Sequence, residues 1–338
     1  MAPIVNQKYL RQVLTTSMEM RTKEIQDLVF SANPVTAILR KNDMFKPYHG
    51  ADIRVPLMID TLGAQWFTGY DKLDASPKEI INSAVFTPKN VAVGFSLTGT
   101  EMLANEGAGQ IVDLLEQYQD NAEQSMGNEM ELALHGDGTD GGGRSLIGLG
   151  AALPIVPNTG VYGGIDRGSV SMWRPNYFNA NTDFTSINVT GWDVSTAPKI
   201  IRNILARRSK GNQKADLIIC DINSYETLQS SLTAIQRITS SEVAKLGFDA
   251  LELATPAGTV ALLCANGVGT VMPENTIYGI DSSSLTMYYH LSRNMVPLFD
   301  GDGARPINQD AIVQYLVWNG QLVLKNPRYS WRLSTAAA

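Results

Sequence analysis

The sequence contains few of the side chains on which disulfide frameworks and metal sites depend. Only two cysteines and three histidines occur among its 338 residues. Cys220 and Cys264 are too few for a disulfide framework or a structural zinc site, and each ends an apolar run typical of a buried strand. His49, His135 and His290 lie far apart and in no metal-ligand spacing. The sequence therefore predicts no metal site.

Motifs of nucleotide-dependent and hydrolytic enzymes are also missing. The sequence has no Gly-Lys-Ser or Gly-Lys-Thr of a phosphate-binding loop and no Gly-x-Ser-x-Gly elbow. Gly136, Gly138 and Gly141 match Gly-x-Gly-x-x-Gly, but they follow a predicted helix, whereas a dinucleotide-binding loop joins a strand to a helix. Asp137 in the same loop lacks the glutamate that a calcium loop places eleven residues later. The sequence thus predicts no catalytic residue, no cofactor and no enzyme.

Positive charge is scarce as well. The chain has 27 Lys and Arg against 33 Asp and Glu, which gives a net charge of −6 and a pI near 5.2. This balance disfavours nucleic-acid binding as the main function, because neutralising phosphates requires clustered positive charge. The one basic concentration lies on and after a predicted helix and comprises Arg202, Arg207, Arg208, Lys210 and Lys214. We interpret it as a solvated helix end, with contact to nucleic acid as the alternative.

The sequence shows neither a secretory signal nor a membrane span. Its N-terminus lacks the basic stretch and apolar segment of a signal peptide, so we expect an intracellular protein. Residues 145–165 and 253–273 are uncharged and long enough to cross a bilayer, but prolines and glycines interrupt both. These two stretches are predicted to be core strands and turns.

The N-terminal segment is predicted to be a helical arm. Ile25, Leu28 and Val29 recur at helical spacing among charged residues, and Pro34 should end the helix because the residue before a proline avoids helical dihedrals. The apolar stripe is narrow. We expect it to pack either on the rest of this chain or on a neighbouring chain.

A long pair of strands is predicted next. Residues 52–59 and 84–93 alternate between apolar and polar side chains, which indicates a two-stranded excursion. Pro56 and Pro88 each lack the N–H of a ladder hydrogen bond, so both strands should be edges.

The segment that joins these strands, residues 62–80, is polar but carries aromatic side chains. Exposed aromatics at the end of a protruding hairpin require a partner that covers them, which predicts an intersubunit contact. The alternative is a hairpin that folds back over its own domain. The candidate contact residues are Trp66, Phe67, Tyr70, Lys72 and Lys78.

The clearest helix is predicted at residues 107–135, where apolar side chains recur every three or four positions. At 1.5 Å per residue it would be about 40 Å long. Towards the C-terminus, residues 310–318 and 321–324 are predicted to form a tight hairpin, because the dipeptide at 319–320, Asn-Gly, favours a type I′ turn.

Four strings, in this order, carry a resemblance to a known family. They are residues 163–174, 214–220, 236–248 and 309–328. With them, the chain resembles tailed-phage major capsid proteins of the Hong Kong 97-type fold over nearly its whole length. The resemblance implies an α+β chain that assembles as hexamers and pentamers into an icosahedral shell around double-stranded DNA. Its expected location is the virion, after assembly in the cytoplasm of the host bacterium.

The resemblance also implies a division of the chain. The expected parts are an N-terminal arm at 1–47, an extended hairpin loop at 48–97, a peripheral domain with the spine helix at 98–192, an axial domain at 193–295, and a return to the peripheral domain with C-terminal strands at 296–338.

Several partners follow from the same resemblance. Only about 45 residues precede the hairpin, too few for the long cleaved scaffold segment of some relatives, so a separate scaffolding protein is expected together with a portal. A cement protein is an optional further partner. The fold's type member joins its subunits by a Lys to Asn isopeptide bond, for which Lys72 or Lys78 with Asn319 or Asn326 are the candidates here.

Two other functions stay open at this stage. An encapsulin-type protein compartment shares the capsid architecture but encloses enzymes. An α/β enzyme or binding protein of an unrecognised kind is the alternative from a different class.

Overall fold

The computed structural model describes residues 34–58, 60, 62–74, 76–77, 80–104, 108–211, 213–231, 238–239, 250–255, 258–265, 271–298 and 310–336. The predicted helix of the N-terminal arm lies outside them. The helices are α1 (Pro34–Lys41), α2 (Gly99–Ala104), α3 (Ala108–His135), α4 (Leu149–Ala152), α5 (Ala197–Arg207) and α6 (Ile222–Ser231). Pro34 begins α1, because a proline is tolerated at the first position of a helix, where the N–H is unpaired. The helix that Pro34 is predicted to end precedes it and is not among the described residues.

One sheet has four strands in the order β1, β13, β14, β4. The strands are β1 (Phe45–Tyr48), β4 (Lys89–Thr98), β13 (Leu285–Pro297) and β14 (Ala311–Leu324). β1 runs parallel to β13, and the other neighbours are antiparallel.

The second sheet has seven strands in the order β7, β15, β12, β8, β11, β10, β9. Their bounds are β7 (Asn176–Asn179), β8 (Leu217–Cys220), β9 (Ile238–Thr239), β10 (Ala250–Thr255), β11 (Gly258–Cys264), β12 (Thr276–Ile280) and β15 (Trp331–Ser334). Two small sheets account for the remaining strands of the described residues: β2 (Ile53–Met58) with β3 (Ile81–Phe86), and β5 (Val161–Tyr162) with β6 (Ile165–Asp166).

The seven-stranded sheet separates two hydrophobic cores. Ile218 on β8 packs in a core with Ile200 and Ile204 of α5, whereas its neighbour Ile219 packs with Tyr278 in the core that contains α3 and the four-stranded sheet. Successive side chains of a strand point to opposite faces, so a strand buried on both faces must be apolar throughout. This explains the uninterrupted run Leu-Ile-Ile-Cys of β8.

The long helix predicted at 107–135 is confirmed as α3, which is about 42 Å long. Met126, Met130 and Leu134 line its buried face. The helix ends at His135, where a glycine-rich loop begins. No helix within the described ranges is long and apolar enough to cross a membrane.

The predicted pair of strands is half correct. β2 pairs with residues 81–86, and Thr87 and Pro88 divide the apolar run that follows, so that β4 pairs with β14 of the four-stranded sheet. Proline cannot donate to a ladder, which makes position 88 a natural break between two strands of different sheets.

The predicted C-terminal hairpin is wrong. β14 runs straight through Asn319 and Gly320 and pairs with β13 on one side and β4 on the other. Close packing requires a glycine at position 320, because a Cβ there would collide with the carbonyl oxygen of Tyr288. The sequence signal for a turn is thus a glycine that lets two strands pair closely.

Candidate functional site

The hairpin formed by β2 and β3 is buried at its root and exposed beyond it. Ile53, Val55, Ala84 and Phe86 are buried, whereas Met58 at the far end of β2 is exposed. The alternation of buried and exposed side chains is that of a half-buried two-stranded ribbon. The described residues of the chain therefore cover only the first half of the hairpin.

A cluster of aromatic rings holds this root. The rings of Phe86 and Tyr162 meet edge to face at 5.0 Å, and Tyr162 lies 5.6 Å from Trp173. The indole N–H of Trp173 donates to the Tyr162 carbonyl at 2.9 Å, and the Tyr162 hydroxyl accepts from the Leu324 N–H at 3.1 Å. Burial raises the pKa of Tyr162 to about 12, so the hydroxyl is neutral. These contacts join the hairpin to the four-stranded sheet.

A backbone hydrogen bond fixes the outer edge of β3. The Val85 N–H donates to the Gly163 carbonyl at 2.8 Å. A side chain at Gly163 would collide with the Phe86 ring, so glycine permits the close approach of β5 and β6 to β3.

The outer edge of β2 has a proline. The N–H of Val85 points away from β2, so Val85 and its partner Arg54 form a pair without mutual hydrogen bonds. The backbone N–H and C=O of Arg54 therefore face the open edge of the ribbon, and so does the backbone of Pro56, two residues further along β2. Pro56 therefore removes no hydrogen bond between β2 and β3, and the free edge of β2 lacks one N–H donor at this position. A missing donor discourages the addition of a further strand.

The loop beyond the ribbon displays large apolar side chains. Trp66 and Tyr70 are 101% and 106% exposed, which means that no described part of the chain touches them appreciably. Phe67 is exposed as well, and so is Lys72. The predicted residues Trp66, Phe67, Tyr70 and Lys72 therefore share one exposed loop, whereas Lys78 lies outside the described residues.

The exposed loop is braced by its own hydrogen bonds, which sequence reasoning did not identify. The side-chain amide of Gln65 accepts a hydrogen bond from the Asp74 N–H at 3.0 Å and donates one to the Asp74 carbonyl at 3.2 Å. Within this bridge, the Asp71 carboxylate accepts the Thr68 N–H at 2.8 Å. We call residues 65–74 the braced tip. Its bonds hold Trp66, Phe67 and Tyr70 on a closed loop.

The asparagines considered for an isopeptide bond differ in accessibility. Asn319 is buried, accepts a hydrogen bond from the Tyr48 hydroxyl and donates to the Asn90 side chain at 2.8 Å. Its amide is thus committed within the subunit, and a lysine of another chain cannot reach it without breaking this network. Asn326 is half-buried.

The described residues contain no cluster of three or more side chains that could hold a metal ion. The fold does bring His49 and His290, far apart in sequence, to a ring distance of 6.5 Å. His135 is buried and stacks on Tyr278 at 6.4 Å. Burial lowers its pKa to about 4, so its ring is neutral at physiological pH.

No family model matches the sequence, and no curated protein matches it either. Solved structures do match the fold. The subunit in the cyanophage A-1(L) capsid asymmetric unit superimposes with a TM-score of 0.66 at 16% identity, over 90% of this chain and 93% of that one. The capsid subunit of the native GTA particle gives 0.56 at 13% identity, over 88% and 90%.

The capsid of Myoviridae phage XM1 gives a TM-score of 0.51 at 12% identity, over 85% of this chain and 87% of that one. All three matches extend over more than four fifths of both chains. The chain therefore shares its fold with these three capsid subunits. The chain has the α+β Hong Kong 97-type capsid fold.

Proposed function

We propose that the protein is the major capsid protein of a tailed bacteriophage. The observation that carries this proposal is the agreement in fold with the cyanophage A-1(L) capsid subunit over nine tenths of both chains. Because a shared fold does not by itself establish a function, the proposal also relies on surface features that a shell subunit needs.

The braced tip is the first of these features. Large apolar side chains that no described residue of the chain covers are typical of protein interfaces. Trp66, Phe67 and Tyr70 would pack against a neighbouring subunit, with Lys72 beside them as a polar contact, and the sequence makes Lys78 a further candidate for the same interface. Bonds within the tip reduce the entropy lost on binding, since the loop is ordered before the interface forms.

The division of the chain supports a role at several curvatures. We assign 1–47 to an arm, 48–97 to the hairpin loop, 98–192 and 296–338 to a peripheral domain, and 193–295 to an axial domain. Hexamers and pentamers demand the same contacts at different angles between subunits. A hairpin held only at its root can adjust to these angles while the two cores stay unchanged.

The proposed role is structural and not enzymatic. The subunit would assemble with itself in the cytoplasm of the host bacterium and reside in the virion around double-stranded DNA. A separate scaffolding protein would guide assembly, a portal would occupy one vertex, and a cement protein would be an optional further partner.

Electron microscopy of the purified full-length chain, with and without a scaffolding protein, tests the proposal, with light scattering as a second measure of size. Closed shells or rings of five and six subunits are expected. A protein that is monomeric under all these conditions would overturn it. Particles from infected cells that contain enzymes in place of DNA would identify an encapsulin-type compartment instead.

A further inference from the structure

A stretch of this acidic chain is basic and has no acidic residue. Residues 194–215 contain six cations and no Asp or Glu, although the whole chain carries a net charge of −6. Helix α5 lies within it. Lys199 and Arg202, exposed and half-buried, fall on the side of the helix opposite the buried Ala197 and Ile204, and the exposed Arg207 is its last residue.

The fold brings a further cation to the C-terminal end of α5. Arg208 follows α5 directly, and Arg328 comes from the 3₁₀ turn before β15, more than a hundred residues away. Both arginines lie beside β7: the Arg208 guanidinium carbon is 5.6 Å from the centre of the Phe178 ring, and the Arg328 carbonyl accepts a hydrogen bond from the Asn176 side chain at 2.7 Å. Burial lowers the pKa of Arg208, and the positive charges of Arg207 and Arg328 lower it further. Three arginines from two distant segments therefore share one electrostatic environment.

The three arginines at the end of α5 make polar and aromatic contacts with the described part of the chain, but no ion pair there. None of the described residues forms an ion pair with Arg207, Arg208 or Arg328. Arg207 donates to the Ser186 hydroxyl at 3.2 Å, and the Arg208 guanidinium carbon lies 5.6 Å from the centre of the Phe178 ring. Neither interaction neutralises charge. Because all three side chains are exposed, water screens much of their mutual repulsion, and a bound anion would relieve the rest.

We propose that Lys199, Arg202, Arg207, Arg208 and Arg328, here called the basic face, bind the phosphate backbone of double-stranded nucleic acid. The inference rests on the proposed function, in which DNA fills the shell. The five positions extend over about 15 Å of helix and an adjoining turn. Duplex DNA carries one charge for about every 1.7 Å of its axis, so several phosphates are within reach of this face.

The chemistry of the face favours phosphates without selecting a sequence. Four of its five cations are arginines, whose planar guanidinium groups bind phosphate oxygens through paired hydrogen bonds. Phosphate contacts fix position but do not discriminate between bases. Weak, uniform binding suits a shell in which any part of a genome meets any subunit.

Fluorescence anisotropy with a labelled DNA duplex of mixed sequence tests the inference on unassembled full-length protein, across a series of salt concentrations. The test variant carries Arg207→Gln, Arg208→Gln and Arg328→Gln. The control variant carries Lys46→Gln, Arg54→Gln and Arg144→Gln, three exposed cations outside the basic face, so that the net charge of both variants changes equally. A third variant with lysine at 207, 208 and 328 keeps the charge. Circular dichroism establishes that each variant is folded.

We expect the glutamine variant of the basic face to bind about tenfold or more weakly at low salt. Its slope of log affinity against log salt should fall by about one for each phosphate that the face no longer neutralises. The lysine variant should keep most of the affinity, and the control variant should match the wild type. Equal weakening in the glutamine variant and the control, or no binding by the wild type at low salt, would overturn the inference.

The same preparations separate this inference from the proposed function. Shells that form normally while DNA binding ignores the basic face would refute the inference alone. DNA binding through the basic face by a chain that never assembles would count against the capsid function alone. If the face instead binds an acidic surface of a second copy, the glutamine variant would fail to assemble but would still bind DNA, and the inference would be wrong.

Discussion

Glu131 and His135 lie one helical turn apart on α3, and both are buried, at 1% and 2% exposure. Neither the Glu131 carboxylate nor the His135 ring has a hydrogen-bond partner among the described residues. Burial raises the pKa of Glu131 to about 7 and lowers that of His135 to about 4. Between these values both side chains are neutral in the folded subunit, whereas both are charged in the unfolded chain at mildly acidic pH.

The two pKa shifts contribute opposite slopes to the pH dependence of stability, and these slopes cancel. Between about pH 4.5 and 6.5 the folded chain holds a proton on Glu131, and the unfolded chain holds one on His135 instead. The pair binds the same number of protons in both states, so it contributes no slope there. A variant that lacks either residue should show the pH dependence of stability that the other residue contributes.

Replacement of Glu131 by glutamine leaves His135 alone. The folded pKa of His135 lies below its ordinary value, so the unfolded state binds the extra proton between about pH 4 and 6.5. Relative to the wild type, the variant lacks the contribution of Glu131, so its free energy of unfolding should rise with pH between about pH 4.5 and 7, by up to about 3 kcal/mol. Urea denaturation at a series of pH values measures the difference. A difference that is flat from about pH 4.5 to 7 would contradict the prediction.

Replacement of His135 by phenylalanine, which keeps the stacking on Tyr278, leaves Glu131 alone. The folded pKa of Glu131 is above its ordinary value, so the folded state binds the extra proton between about pH 4.5 and 7. Relative to the wild type, the variant lacks the contribution of His135, so the stability of His135→Phe should fall relative to that of the wild type as pH rises from about 4 to 6.5, again by up to about 3 kcal/mol. The same denaturation series serves as the measurement, and a rising difference would show the assignment to be wrong.

The braced tip should matter for assembly and not for folding. Trp66 and Tyr70 are fully exposed, so Trp66→Ala with Tyr70→Ala should leave the melting temperature within about 2 °C while abolishing shells. Sedimentation velocity and electron microscopy report assembly. The control is Ile155→Ala with Val161→Ala, which removes exposed apolar groups elsewhere. Shells that form equally in both variants would remove the tip from the interface.

The bridge between Gln65 and Asp74 should act on the same interface indirectly. Gln65→Ala removes both hydrogen bonds to Asp74 and keeps every aromatic ring. We expect the concentration required for assembly to rise about tenfold, because the tip must then be ordered when it binds. Light scattering against protein concentration measures this threshold. An unchanged threshold would mean that the bridge plays no part in presenting the tip.

Gly320 should tolerate no side chain. A Cβ there would collide with the Tyr288 carbonyl and the Trp318 ring, so Gly320→Ala should cost about 3 kcal/mol in the free energy of unfolding. Gly63→Ala is the matched control, since nothing lies within 4 Å of its Cβ position, and it should cost less than about 0.5 kcal/mol. Thermal or urea denaturation distinguishes the two. Equal effects would contradict the role assigned to Gly320.

Local patterns predicted the elements that local forces determine. The periodicity of residues 107–135 indicated α3, and the apolar run ending at Cys220 indicated β8. Asn319 and Gly320 misled because their turn propensity is local, whereas their pairing with β13 and β4 is set by residues far away in the chain. A glycine required for close packing and a glycine required for a turn have the same sequence signature.

The sequence predicted the exposed aromatic residues of the candidate site, but not the contacts that hold them in place. Aromatic side chains in a polar loop indicated Trp66, Phe67 and Tyr70, whose exposure the structure displays. The bridge from Gln65 to Asp74 joins residues nine positions apart, and Arg208 and Arg328, far apart in sequence, both lie beside β7. No periodicity in sequence records either relationship, because both depend on how the chain folds back.

An electron cryomicroscopy reconstruction of particles assembled from the purified full-length chain tests most directly whether the protein is a capsid subunit. We expect closed shells of hexamers and pentamers in which Trp66 and Tyr70 of each subunit are buried against a neighbour. A chain that yields only monomers, or shells in which the braced tip stays exposed to solvent, would contradict this expectation.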